Sequence, residues 1–390
     1  MTSPSKRSFT LLPVLAAALL AASPLLAGAQ QGVTDTEVVL GEIAPLTGPA
    51  SVGSVALSLG TKMAVAEANA AGGINGRKIR VISEDDGYVV TRAVQAARKL
   101  ITSDKVFALA AISGSAPSVA LLPMLKESGI PAINVLSFPD SLHTPVVPNI
   151  YVGGASHQDS VEALVTELNK LFPNKKWAVV TQDDELGSLM REGWERAQAK
   201  YKLNVVYKTA YRRGQKDFSA EMLAATKAGA EVLLAGGIVT ENIAMVKELE
   251  RLGSKIPVGA TWIGRYPSAL QAMGSAASNF YMIDYVVPEG SAQSRAFYSR
   301  ATKLLSEDDL KRVNRYTPVA YAGTKTLIEA MRRCGKALTW ACTIKEMDAT
   351  KNMETSVMAP INFTPKSHFS RQKLSLMKAN VKTLEFEPLQ

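Results

Sequence analysis

The chain has 390 residues, of which 47% are hydrophobic and 20% charged, with a formal net charge of +9. That balance excludes a disordered, charge-extended chain, and the length accommodates two domains with separate cores. The positive excess is scattered, with only short clusters such as Arg212-Arg213 and Arg332-Arg333, so it reads as solvated surface and argues against nucleic acid as a partner.

Lys6 and Arg7 precede an almost wholly apolar run from Phe9 to Leu26, and Ala27-Gly28-Ala29 supplies the small-x-small pattern of a processing site. Residues 1–29 are therefore expected to be a signal peptide cut after Ala29, leaving a mature chain from Gln30. Pro13, Pro24 and the shortness of the apolar run argue against a membrane anchor. No Cys stands near the cut to carry a lipid, and no later run is long enough to cross a bilayer. The mature protein is expected to be free in the periplasm and to act as a monomer.

Beyond the leader, short β-branched runs alternate with helical patterns. Val38 to Ile43 precedes a helix near Ala56 to Asn69, Ile79 to Ser83 precedes Arg92 to Thr102, and Val106 to Ile112 precedes Ser118 to Lys126, with Ile130 to Val135 as a further strand. This βα rhythm predicts an α/β fold with mainly parallel sheets. A second series begins near His157 and sets strands at Trp177 to Thr181, Val205 to Ala210, Val232 to Ala235 and Val258 to Ala260. Helices near Met190 to Lys200, Ser219 to Lys227 and Thr240 to Leu252 separate them. An extended run from Phe280 to Val287, helices at Ala292 to Leu305 and Pro318 to Cys334, and extended segments near Ile361 and Leu374 to Met377 complete the chain.

Two series mean two doubly wound lobes. The first is expected to comprise residues 30–150 and 284–358, the second 151–283 and 359–390, joined by three crossovers near Ile150, Ile283 and Ala359. Cys334 ends a helical pattern, Gly335 reads as its stop, and Thr339 reads as the cap of a following helix that carries Cys342. In an oxidising compartment the pair is expected either to bridge this turn, contributing about 2 to 3 kcal/mol, or to remain as two buried thiols.

Catalytic signatures are sparse: there is no H-E-x-x-H, G-x-S-x-G, P-loop or G-x-G-x-x-G opening a helix. His143, His157 and His368 lie far apart in sequence and read as polar surface residues. No catalytic residue, metal ligand or cofactor is assigned. The loops that follow the strands carry more information, because open α/β sheets bind ligands beyond the carboxyl ends of their strands. Ser115 stands just ahead of a helix, where its hydroxyl and the helix-start amides form either a carboxylate site or an ordinary cap.

The motifs Pro45-Leu46-Thr47-Gly48-Pro49, Ala66-Glu67-Ala68-Asn69, Gly72-Gly73-Ile74-Asn75-Gly76, Asp85-Asp86, Gly129-Ile130-Pro131 and Lys216-Asp217-Phe218-Ser219 run through the mature chain. Taken together they resemble the type I periplasmic binding proteins of the branched-chain (leucine/isoleucine/valine) amino acid family of ATP-driven importers. The resemblance implies a receptor that closes two lobes on a small ligand and is met by a permease and its ATPases, touching the membrane only through the permease. It also implies that the ligand's carboxylate is held at Ser115 and by Leu136, Ser137 and Phe138, with Tyr316 as an aromatic wall.

Leu186 and Ile238 stand where relatives often carry aromatics. The acid that would pair an amino-acid ammonium should fall within Trp262-Ile263-Gly264-Arg265-Tyr266, which holds none. Arg265 is expected there to grip a second anionic group, and Asp183, Asp184, Glu185 or Glu241 are expected as substitutes for the acid. The competing readings are a sensor subunit that signals by the same closure, taking an aromatic acid, dicarboxylate or amide, and a hydrolase on a similar scaffold.

Overall fold

The computed structural model describes residues 1–2, 30–48, 50–134 and 139–389. The expected leader from residue 3 to its cut after Ala29, and Leu136, Ser137 and Phe138, lie outside them.

The first lobe opens with β1 (Glu37–Ala44), α1 (Ser51–Ala70), β2 (Lys78–Asp85), α2 (Val90–Arg98), β3 (Ala108–Ile112), α3 (Ser115–Ser128), β4 (Ala132–Asn134) and β5 (Ile150–Gly154). The chain then crosses to α4 (His157–Leu171), β6 (Lys176–Gln182), α5 (Glu185–Tyr201), β7 (Asn204–Tyr211), α6 (Ser219–Lys227), β8 (Val232–Gly236), α7 (Val239–Arg251), β9 (Val258–Thr261), α8 (Pro267–Met273) and β10 (Phe280–Asp284). It returns through α9 (Ala292–Leu304), α10 (Glu307–Leu310), α11 (Tyr316–Arg333) and α12 (Trp340–Asp348), and ends in β11 (Phe369–Arg371), β12 (Ser375–Asn380) and β13 (Glu385–Pro388).

Two sheets result. The six-stranded sheet has the order β11-β5-β4-β3-β1-β2 and the seven-stranded sheet the order β13-β12-β10-β9-β8-β6-β7. All pairs in the first are parallel, and only the β10–β12 and β12–β13 pairs in the second are antiparallel. The central strands β3, β5, β6 and β8 are buried nearly throughout, which is why they read as continuous apolar runs. The edge strands β2 and β7 carry exposed polar positions instead.

Strand membership moves two of the three expected boundaries. β5, split by the boundary set at 150, lies whole in the first sheet, so the first crossover falls at Ala155 and Ser156. β11, assigned to the second lobe, pairs with β5, so the third crossover falls between Arg371 and Ser375. The reason is that Phe363 packs edge-on against Tyr151, with centroids 5.1 Å apart, and holds the returning chain on the first lobe.

α1 and α11 pack together so closely at Gly60 that a Cβ there would stand 2.1 Å from the Thr317 carbonyl oxygen. The Cys334–Cys342 disulfide closes the turn between α11 and α12, where Gly335 is left-handed and Thr339 accepts the Cys342 amide proton at 3.2 Å.

Candidate functional site

In both sheets the strand order 2-1-3-4-5 places the topological switch beside the first strand of the lobe, β1 in one and β6 in the other. Helix starts therefore collect on the facing ends of the two lobes. Between them lies a cavity with about 550 Å³ of unfilled space, part of it open to solvent. Gly53, Ser54, Tyr88, Ser113, Ser115 and Tyr316 line it from the first lobe; His157, Leu186, Ile238, Trp262 and Tyr266 line it from the second.

The first-lobe wall is built by backbone geometry. Gly114 has φ +95°, and a Cβ there would meet the Tyr88 ring at 2.4 Å, so only glycine lets β3 turn into α3 against that ring. Ser115 is the first residue of α3 and not the residue ahead of it, with Gly114 in the cap position. Tyr88 is itself left-handed, at φ 63°, held by Asp86, which accepts its amide proton at 2.7 Å. Burial pushes the Asp86 carboxyl up to about 6.

The second-lobe wall is aromatic. Trp262 donates its indole N–H to Ser160 at 3.1 Å and stacks on His157 with centroids 5.1 Å apart. Tyr316 donates to the Ile263 carbonyl at 3.2 Å, and its ring stands 5.5 Å from that of Tyr266. Arg315, fully buried, lies 4.9 Å from the ring centroids of Trp262, Tyr285 and Tyr316 and pairs with Asp284, so the wall rests on a buried charge.

Among the expected site residues, Ser115, Leu186, Ile238, Trp262 and Tyr316 all line the cavity. Arg265 does not. Its guanidinium is turned away to Asp284 at 2.8 Å, Glu289 at 3.0 Å and the carbonyls of Val286 and Val287 at 2.8 and 2.7 Å. Buried Asp284 and half-buried Glu289 supply the carboxylates that attract it, so it fastens the second crossover instead of meeting a ligand.

None of the expected substitute acids lines the cavity either. Asp184 caps α5 at 3.1 Å from the Gly187 amide and pairs with Arg213. Glu241 is buried in the first turn of α7, accepts the Gly214 amide proton at 3.2 Å, and is raised above the usual carboxylate range by burial.

His157 is the residue that sequence reasoning missed. All three histidines are buried, against the expected surface positions, and His157 is 2% exposed. Its Nε2 lies 3.2 Å from Ser115 Oγ, so this contact joins the two lobes inside the cavity. Burial pulls its pKa down to about 4, so the ring is neutral at pH 7. The available signal was its place in the first turn of the helix that opens the second series.

No Asp, Glu, Lys or Arg stands among the described residues that line the cavity. α1, α3 and α7 all begin there without a side-chain cap. α4 and α5, which also begin there, are capped by Ser156 and Asp184. The cavity is thus apolar and aromatic in lining, with a positive field supplied by helix starts alone.

The family model described as "Periplasmic binding protein" matches residues 37–383. "Leu/Ile/Val-binding protein homolog 3" of Brucella melitensis is 24% identical over 329 residues, covering 82% of this chain and 86% of the relative. A branched-chain amino acid ABC transporter protein of Thermus thermophilus with bound valine superposes with TM-score 0.82 at 18% identity, covering 92% of this chain and 96% of that one. A solute-binding protein of R. palustris in complex with 4-hydroxybenzoate gives TM-score 0.81 at 18% identity, covering 91% and 96%. At 18% identity these two structures speak to the fold.

Proposed function

The chain belongs to the periplasmic binding protein family, and we propose that it captures an apolar or aromatic monocarboxylate between its lobes for an ATP-driven importer. One observation carries the ligand class: the cavity joins uncapped helix starts to aromatic walls, and none of the described residues that line it carries a charge. A carboxylate at the start of α3, beside Ser115, is stabilised by helix-start amides and dipoles. An ammonium placed in the same cavity has no carboxylate to pair with among the described lining residues, and an unpaired buried cation costs several kcal/mol.

The names of the relatives point to branched-chain amino acids, and the 4-hydroxybenzoate neighbour to aromatic acids; the chemistry of this lining favours acids without the ammonium. The protein binds its ligand without turning it over, in the periplasm. Its closed form is the signal read by a permease driven by ATPases.

Calorimetry with matched pairs tests this: leucine against 4-methylpentanoate, and phenylalanine against 3-phenylpropionate. The des-amino acid of at least one pair is expected to bind at least tenfold more tightly. Tighter binding of the amino acid in both pairs refutes the monocarboxylate assignment.

A further inference from the structure

We infer that Gly53 is a specificity residue: the missing side chain seats the Tyr266 hydroxyl against the first turn of α1, and the space this leaves sets how large a ligand body the cavity accepts. The inference rests on the cavity being the ligand site, as proposed above. Gly53 is buried in the first turn of α1 and lines the cavity. A Cβ placed on it would stand 2.7 Å from Tyr266 Oη and 3.2 Å from Tyr316 Cε2. The first distance is too short for two non-bonded atoms, so a methyl at this position forces a neighbour to move.

The helix itself does not ask for glycine here. Gly53 lies outside the left-handed region that Gly48 and Gly114 occupy, and a helix favours alanine over glycine. The two tyrosines account for it instead. Tyr316 is held in place, its hydroxyl on the Ile263 carbonyl at 3.2 Å and its ring centroid 4.9 Å from the Arg315 guanidinium. Tyr266 reaches across from the second lobe, 4% exposed, with its ring 5.5 Å from that of Tyr316. A methyl on Gly53 takes its own volume from the cavity and displaces Tyr266. Both changes fall on the wall that an apolar ligand body meets, and neither touches the start of α3 beside Ser115, where the carboxylate sits. Large bodies therefore lose more than short ones.

The test is competition calorimetry of the purified protein with butyrate, 4-methylpentanoate and 3-phenylpropionate, and in parallel with alanine, leucine and phenylalanine. Each variant is first checked for a cooperative melt. In Gly53→Ala, affinity for the aromatic member of the bound series should fall at least about tenfold relative to the shortest member that binds. Tyr266→Phe removes the atom nearest the added methyl and leaves every other Tyr266 atom at 3.4 Å or beyond. Measured against Tyr266→Phe alone, the double variant Gly53→Ala/Tyr266→Phe should therefore shift the ratio by less than about threefold.

An unchanged ratio in Gly53→Ala overturns the inference, and so does an equal loss for every ligand. A shift in the double variant as large as in the single one overturns it too. If Gly53→Ala does not melt cooperatively, the double variant decides against Tyr266→Phe, and a tenfold shift there overturns the inference. Binding of amino acids with none of the acids bound overturns the carboxylate reading, while the amino-acid series still decides Gly53. A wild type that binds neither series overturns the reading of the cavity as the ligand site, and the role of Gly53 falls with it.

Discussion

Replacing Arg265 with alanine should unfold the protein early without changing what it binds. The side chain is 1% exposed and reaches Glu289, Asp284 and the carbonyls of Val286 and Val287 through bonds of 2.7 to 3.0 Å. Removing one partner of a buried ion pair costs about 3–5 kcal/mol. Arg315 stays bound to Asp284 through its own Nε at 3.0 Å, so Asp284 keeps a counter-charge and the loss falls mainly on Glu289 and the two carbonyls. We expect about 4 kcal/mol, seen as a melting temperature lower by about 10 °C.

A ligand at 100 times its dissociation constant should still stabilise the variant by about 2.7 kcal/mol, as in wild type. Arg265→Lys should recover at most half of the loss, because one ammonium cannot reach all four oxygens. Thermal melts with and without ligand decide it. A variant that melts like wild type but no longer responds to ligand would refute the structural role and return Arg265 to the cleft.

Glu42 and Arg213 give two further expectations. Burial pushes the Glu42 carboxyl up to about 7, against the pull of the Ser58 and Ser83 hydroxyls. The folded state thus holds this proton more tightly than the unfolded chain, and stability is lost as pH rises from about 4.5 through about 7. Glu42→Gln should therefore be about 2–3 kcal/mol more stable than wild type at pH 8 and equal to it at pH 4; parallel stability curves over that range would contradict the burial argument. Arg213 crosses the cleft mouth, donating to the Tyr88 carbonyl at 3.1 Å with its guanidinium 4.1 Å from the Tyr88 ring centroid, and pairs with Asp184. Arg213→Ala should speed ligand release about 5- to 20-fold in stopped-flow traces with little change in association; an unchanged release rate would show that the latch carries no closure energy.

Much of the fold was legible because burial on both faces of a parallel sheet writes itself as an apolar run, and a one-sided helix as a 3.6-residue period. Ser219–Lys227 was read to the residue, and the starts of α4 and α9 fell where periodicity put them. The expected boundaries cut β5 in two and put β11 on the wrong side because each strand is short and sits beside a crossover. Which sheet a short strand joins depends on partners far away in sequence, such as Tyr151 and Phe363.

The site divides the same way. Sequence alone determined the α/β class, the two series and the pairing of Cys334 with Cys342 as one of two outcomes, because these are written in local patterns; Ser115, Leu186, Ile238, Trp262 and Tyr316, expected at the ligand largely through the family resemblance, line the cavity. Tertiary structure alone decided that Arg265 turns to Asp284 and Glu289, and that His157 meets Ser115 across the cleft. It also decided that α1, α3 and α7 begin, without side-chain caps, beside a cavity whose described lining holds no charged side chain. A charge takes its partner from whatever distant element packs beside it, and a buried imidazole is told from a surface one only by what lies over it; neither is encoded in the residues on either side.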